Sequence, residues 1–165
     1  MKQTISVMML VFAATLVFAQ EKMASPPAKA EGTAGAAKIT INYHQPSMKG
    51  RKIMGGLVPF GEVWRTGANE TTTIEFSAPV KVEGKDVAAG KYGLFTIPGE
   101  NEWTIIINKG IKWGAYTYKQ DEDVIRVAVK PTKTSGPVET FNIAVEKGQV
   151  VIKWENTQVA FNVKG

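Results

Sequence analysis

From residue 38 onward the sequence predicts an all-β fold, an antiparallel β-sandwich of about nine short strands in a single domain. Three observations predict it. Apolar residues recur with a period of two through most of the stretch, as half-buried strands require. Gly, Pro, Asn and Asp punctuate it at short intervals. Outside the N-terminus, no window of helical length shows a convincing helical period.

The elements follow in order. Ile39, Ile41 and Tyr43 alternate with Lys38, Thr40 and Asn42. Ile74 and Phe76 alternate with Thr73, Glu75 and Ser77, and Val80 and Val82 precede a Glu83-Gly84 turn. Tyr92 to Ile97 and Trp103 to Ile107 are denser apolar runs. Such runs belong to central strands buried on both faces, which favours a sandwich over a closed barrel. Ile125, Val127 and Val129 form a further alternating strand. The last three strands read as a meander: Phe141 to Val145, Val150 to Trp154 after Lys147-Gly148, and Val159 to Val163 after an expected turn at Glu155-Asn156. Two segments break the rhythm, residues 46–70 and 108–122. Irregular stretches of that length are uncommon in compact domains and are often functional. At the ends of a sandwich they are expected to meet.

The N-terminus reads differently. Lys2 precedes an apolar run from Ile5 to Phe18, and Val17-Phe18-Ala19 supplies the small residues of a cleavage site before Gln20. Residues 1–19 are therefore expected to be a secretory signal peptide, too short for a membrane span. The protein is expected in the periplasm or outside the cell, with no membrane attachment after cleavage. Residues 20–37 are rich in Ala, Gly, Pro and charge, and are expected to be a flexible leader before a sandwich domain at 38–165. The chain contains no cysteine, so disulfides, a lipid anchor and thiolate metal sites are excluded. The formal charge of +5 is spread over scattered lysines, not the dense basic patch of a nucleic-acid face.

Five motifs occur in order along the chain. They are Gly50-Arg51-Lys52-Ile53-Met54-Gly55, Leu57-Val58-Pro59-Phe60-Gly61, Val63-Trp64-Arg65-Thr66-Gly67-Ala68-Asn69-Glu70, Gly90 to Pro98, and Trp103 to Asn108. This set resembles a family of exported bacterial proteins catalogued as a domain of unknown function. The resemblance covers most of residues 38–163, and Met54 stands where Phe is expected. It implies a single exported domain and supplies no catalytic residues.

Candidate chemistry is concentrated in the irregular segments. Trp64, Trp113, Tyr116 and Tyr118 offer aromatic faces with polar handles. Arg65 suits a carboxylate or phosphate, Asn69 both donates and accepts, and Glu70 adds a charge. These seven residues form the candidate ligand-binding set, for a small polar or glycan-like ligand. A structural alternative exists for the same turn: Arg65 bonding loop carbonyls, Asn69 in a left-handed turn and Trp64 plugging the core. Two other functions stay open. One is a hydrolase pairing Glu70 with Asp121 or Asp123, and the other is a structural or protein-contact module. The single histidine, His44, lies near Ser47 but without a nucleophile motif. Asp121-Glu122-Asp123 lacks the spacing of a calcium loop. No cofactor or metal is implied.

Overall fold

A computed structural model describes residues 24–111 and 117–165. Ten strands form among them: β1 (Pro27–Ala34), β2 (Ala37–His44), β3 (Thr73–Phe76), β4 (Val80–Val82), β5 (Lys85–Val87), β6 (Gly90–Ile97), β7 (Trp103–Asn108), β8 (Asp123–Val129), β9 (Thr132–Glu146) and β10 (Gln149–Lys164). They build two antiparallel sheets, ordered β1-β2-β3-β6-β7-β8 and β5-β4-β10-β9. The sheets face each other, and the alternation read from the sequence supplies the core. Ile39, Ile41, Ile74, Phe76, Leu94, Ile105 and Ile107 point inward from the larger sheet, and Phe141, Ile152, Phe161 and Val163 from the smaller one. Among the described residues no helix is long and apolar enough to cross a membrane.

The dense runs are central, as expected. β6 and β7 are neighbours within the six-stranded sheet. Their outward-facing Phe95 and Ile106 are as buried as their inward residues. The Tyr118 ring lies over Phe95 at 5.1 Å between centroids, so Tyr118 covers part of the outer face.

The structure corrects the flexible leader. Residues 27–34 are a strand, paired antiparallel with β2 from Pro27↔His44 to Ala34↔Ala37. Ordering it needs no large side chain, because the ladder supplies backbone hydrogen bonds and the small side chains permit close packing. Ala30 and Ala34 are buried, and a Cβ placed on Gly32 would lie 2.5 Å from Val145 Cγ1 on β9. The composition that suggested disorder is what lets this edge strand approach the opposite sheet.

The expected meander is also corrected. Val150–Trp154 and Val159–Val163 belong to one long strand, β10, which pairs with β9 and then with β4. At Glu155 the register shifts on both sides and φ is 55°, so the residue makes a bulge where a turn was expected. Its carboxylate accepts hydrogen bonds from Ile53 N at 3.0 Å and Met54 N at 3.1 Å. The bulge thus aims one side chain at the irregular 46–70 segment and fastens it to the sheet.

That segment begins by changing sheets. After β2, Pro46 O accepts from Phe141 N, and Met48 N donates to Glu139 O, so the chain runs onto the free edge of β9. Tyr43 reinforces the crossing: its hydroxyl accepts from Ile143 N at 3.1 Å and donates to Ile143 O at 3.3 Å. The segment then returns to the larger sheet. Trp64 pairs with Thr96 and so continues along the edge of β6 beyond Gly93, where the pairing with β3 stops. Residues 46–68 therefore close one end of the sandwich and position the site.

Candidate functional site

The closing segment leaves a cleft of about 350 Å³, at the lower end of the range for small-molecule sites. Its apolar lining is Leu57, Val58, Trp64 and Trp154. Its charged lining is Lys49, Arg51 and Arg65, and no carboxylate is among the lining residues. Ala24 and Ser25 complete one wall.

The Trp64-Arg65 turn divides into residues that are satisfied internally and one that is not. Trp64 is a core residue. Its ring stacks on Trp154 at 6.0 Å and meets Phe141 and Trp103 edge-on at 5.2 and 6.3 Å. Its indole N–H donates to Gly67 O at 3.1 Å. Asn69 is left-handed, with φ 58°, and its amide donates to Ser25 O at 3.3 Å. Thr66 is fully buried at φ 57°, a conformation that a β-branched residue adopts only when the surroundings impose it. Its hydroxyl shares a hydrogen bond with Thr96 Oγ1, and its carbonyl accepts from Thr72 Oγ1 at 2.7 Å. Gly67 is required because a Cβ there would sit 3.1 Å from His44 O.

Arg65 is the exception. Its Nε is buried and has no hydrogen-bond partner among the described residues. Among the described residues Arg65 Nε makes no bond to a loop carbonyl, and none of the ion pairs includes Arg65. Lys49 and Arg51 are likewise outside those ion pairs. Arg51 is instead held by carbonyls, with Nε donating to Met48 O at 2.9 Å and a terminal nitrogen to Ser47 O at 2.7 Å. The Glu139 carboxylate accepts from the Lys49 backbone N–H and does not line the cleft. A buried donor without a partner costs about 1–3 kcal/mol. Nε itself is closed off from solvent, whereas Arg65 as a residue lines the cleft.

Of the remaining predicted site residues, Glu70 and Tyr118 do not line the cleft. Glu70 is exposed ahead of β3, which starts at Thr73, and among the described residues it makes no ion pair with Arg65. Trp113 and Tyr116 lie outside the described residues. Tyr118 packs on the outer face of β6, away from the core side occupied by Trp64. Its hydroxyl donates to Asp123 Oδ2 at 2.8 Å and accepts from Arg126 at 2.8 Å. Asp123 also takes Arg126 Nε at 2.6 Å and Asn108 Nδ2 at 2.8 Å, so its carboxylate is fully engaged. Burial pushes the Tyr118 phenol above its ordinary pKa, and the bond to Tyr118, followed by that to Asp123, raises that of Arg126. This cluster ties Tyr118 to the start of β8 and leaves Asp123 no free oxygen for general acid–base work. The expected common rim of the two irregular segments is therefore not formed by Trp64 and Tyr118.

Other sequence candidates are accounted for. Ser47 Oγ bonds Thr140 Oγ1 at 3.1 Å, and His44 ends β2 opposite Pro27. No group of three metal-binding side chains occurs among the described residues. Sequence reasoning missed Lys49, Arg51 and Trp154 as cleft residues. The available signal was the charge of the 46–70 segment, which holds Lys49, Arg51, Lys52 and Arg65 against Glu62 and Glu70.

No curated protein and no solved structure matches the chain. The model of the family described as "Protein of unknown function (DUF2911)" matches residues 25–163, a span that takes in β1 as well as the cleft, and the chain belongs to that family.

Proposed function

We propose that this protein is an exported binding protein that holds a small polar ligand in the cleft beside Arg65. The observation that carries the reading is a concave space lined by Arg65 together with Lys49 and Arg51, with no carboxylate in the lining. A ligand acceptor meeting the part of Arg65 that lines the cleft would gain a charge-assisted hydrogen bond. The strained Thr66 supports it, since strain is retained where the surrounding structure over-determines it, and such residues cluster at ligand clamps. The signal-like N-terminus supports delivery to the periplasm or beyond. The hydrolase reading has less support, because the cleft lining holds no carboxylate and Glu70 is exposed.

The test is mass spectrometry of small molecules retained by the purified native protein, beside the Arg65→Gln variant. A compound retained by the native protein and lost from the folded variant is the expected result. A compound retained equally by both would remove Arg65 from the site and overturn the reading.

A further inference from the structure

The proposal concerns the chemical class of the ligand and rests on the cleft-binding reading above. We infer that the ligand is a small organic anion with an apolar part, such as a carboxylate, phosphate or sulfonate. Three cationic side chains, Lys49, Arg51 and Arg65, line one cleft that has no lining carboxylate. None of them belongs to an ion pair among the described residues, whereas the ion pairs that do form engage Lys29, Lys38, Lys81 and Arg126. Like charges focused in a concavity with apolar walls create a positive potential that favours an anion over a neutral solute.

The three cations are also held differently. Arg51 is pinned by the carbonyls of Ser47 and Met48, which fix its charge without neutralising it. Lys49 sits at φ 48°, held there by its backbone bond to Glu139. Arg65 lies deeper and still has donor capacity. An anionic head would accept from the part of the Arg65 guanidinium that lines the cleft, a donor suited to carboxylate and phosphate. Lys49 and Arg51 would add charge at the entrance.

The rest of the cleft specifies the remainder of the molecule. Leu57, Val58, Trp64 and Trp154 form a wall with no charge, and Leu57 is 49% exposed, unusually bare for a leucine beside a core. Inorganic phosphate would leave this wall in water. A ligand with an apolar arm would cover it, at about 25 cal/mol for each Å² removed from water. The volume of about 350 Å³ holds roughly a dozen waters, so a compound of modest size fills it.

Calorimetric titration with three sets of probes tests the inference. Naphthoate carries both features, naphthamide keeps the shape without the charge, and acetate and inorganic phosphate keep the charge without the arm. A neutral disaccharide covers the glycan alternative. Naphthoate is expected to bind about tenfold or more tightly than naphthamide, and more tightly than acetate or phosphate. Arg65→Gln is expected to abolish the preference over naphthamide, and Arg51→Gln to weaken naphthoate several-fold. Added salt should weaken naphthoate more than naphthamide. Equal binding of naphthoate and naphthamide, or tighter binding of the disaccharide, overturns the anion inference while leaving cleft binding in place. Absence of saturable naphthoate binding overturns the inference as well, and the retained-compound experiment then judges the cleft separately. Unfolding curves of both variants confirm that any loss comes from a folded protein.

Discussion

Replacing Arg65 with Met should make the ligand-free protein more stable. The side chains are similar in length, and Met fills irregular apolar gaps without needing a partner. Arg65 leaves one buried nitrogen unpaired, and that donor alone costs about 1–3 kcal/mol. The rest of the guanidinium is only partly buried and keeps some hydration, so the lower end of that range applies. Removing one cation from beside Lys49 and Arg51 adds a few tenths of a kcal/mol at low salt, because those side chains are exposed and screened. The sum is a gain of about 1 kcal/mol, or roughly 3 °C in Tm for a domain of this size. Urea unfolding with an unchanged m-value, followed by Trp fluorescence, measures it. The same variant should lose naphthoate binding. Stability gained as function is lost is the behaviour expected of a residue kept for its ligand. A loss of 1 kcal/mol or more in Arg65→Met would refute the reasoning, because Arg65 would then be holding the fold together.

Three further outcomes follow from other parts of the fold. Glu155→Ala removes two charge-assisted bonds to Ile53 and Met54 and should cost about 3 kcal/mol, while Glu155→Gly should cost about 1 kcal/mol less by relieving the left-handed backbone; equal losses in urea unfolding would remove the strain argument. Gly32→Ala should destabilise by about 1–3 kcal/mol through the clash with Val145, and hydrogen exchange should show β1 opening first. The raised pKa of Tyr118 means that the folded protein favours the neutral phenol. Stability from this group is complete below the unfolded phenol's pKa near 10 and is lost as pH rises through the higher folded value. Tyr118→Phe should lose that part of the alkaline dependence, and an unchanged alkaline profile would contradict it.

The legible parts of the fold were those in which side chains carry the information. Alternation at Ile39, Ile41 and Tyr43, and the dense runs at Phe95 and Ile106, report burial directly, and the sheets follow from them. β1 was illegible because its pairing is a backbone matter and its packing depends on Ala30, Gly32 and Ala34 being small. Such a strand has the composition of a linker. The Glu155 bulge was misread because Glu-Asn before an alternating run is also how a turn looks, and only the distant amides of Ile53 and Met54 distinguish the two. At the proposed site, the sequence singled out this turn and mixed the roles of its residues. Trp64 and Asn69 are satisfied by their own neighbours, Tyr118 belongs to the Asp123–Arg126 cluster, and Arg65 is left with an unpaired donor. Lys49 and Arg51 join it only because the chain changes sheets at Pro46–Met48, a crossing that no local pattern reveals.

The most direct measurement is the side-chain NMR signal of Arg65 Nε–H in the protein, recorded before and after naphthoate is added. If Arg65 receives the ligand's acidic head, the resonance should shift markedly and exchange more slowly with water, while the signal of Arg126 stays put. A resonance that remains in place while calorimetry records binding would show that the ligand sits elsewhere than at Arg65.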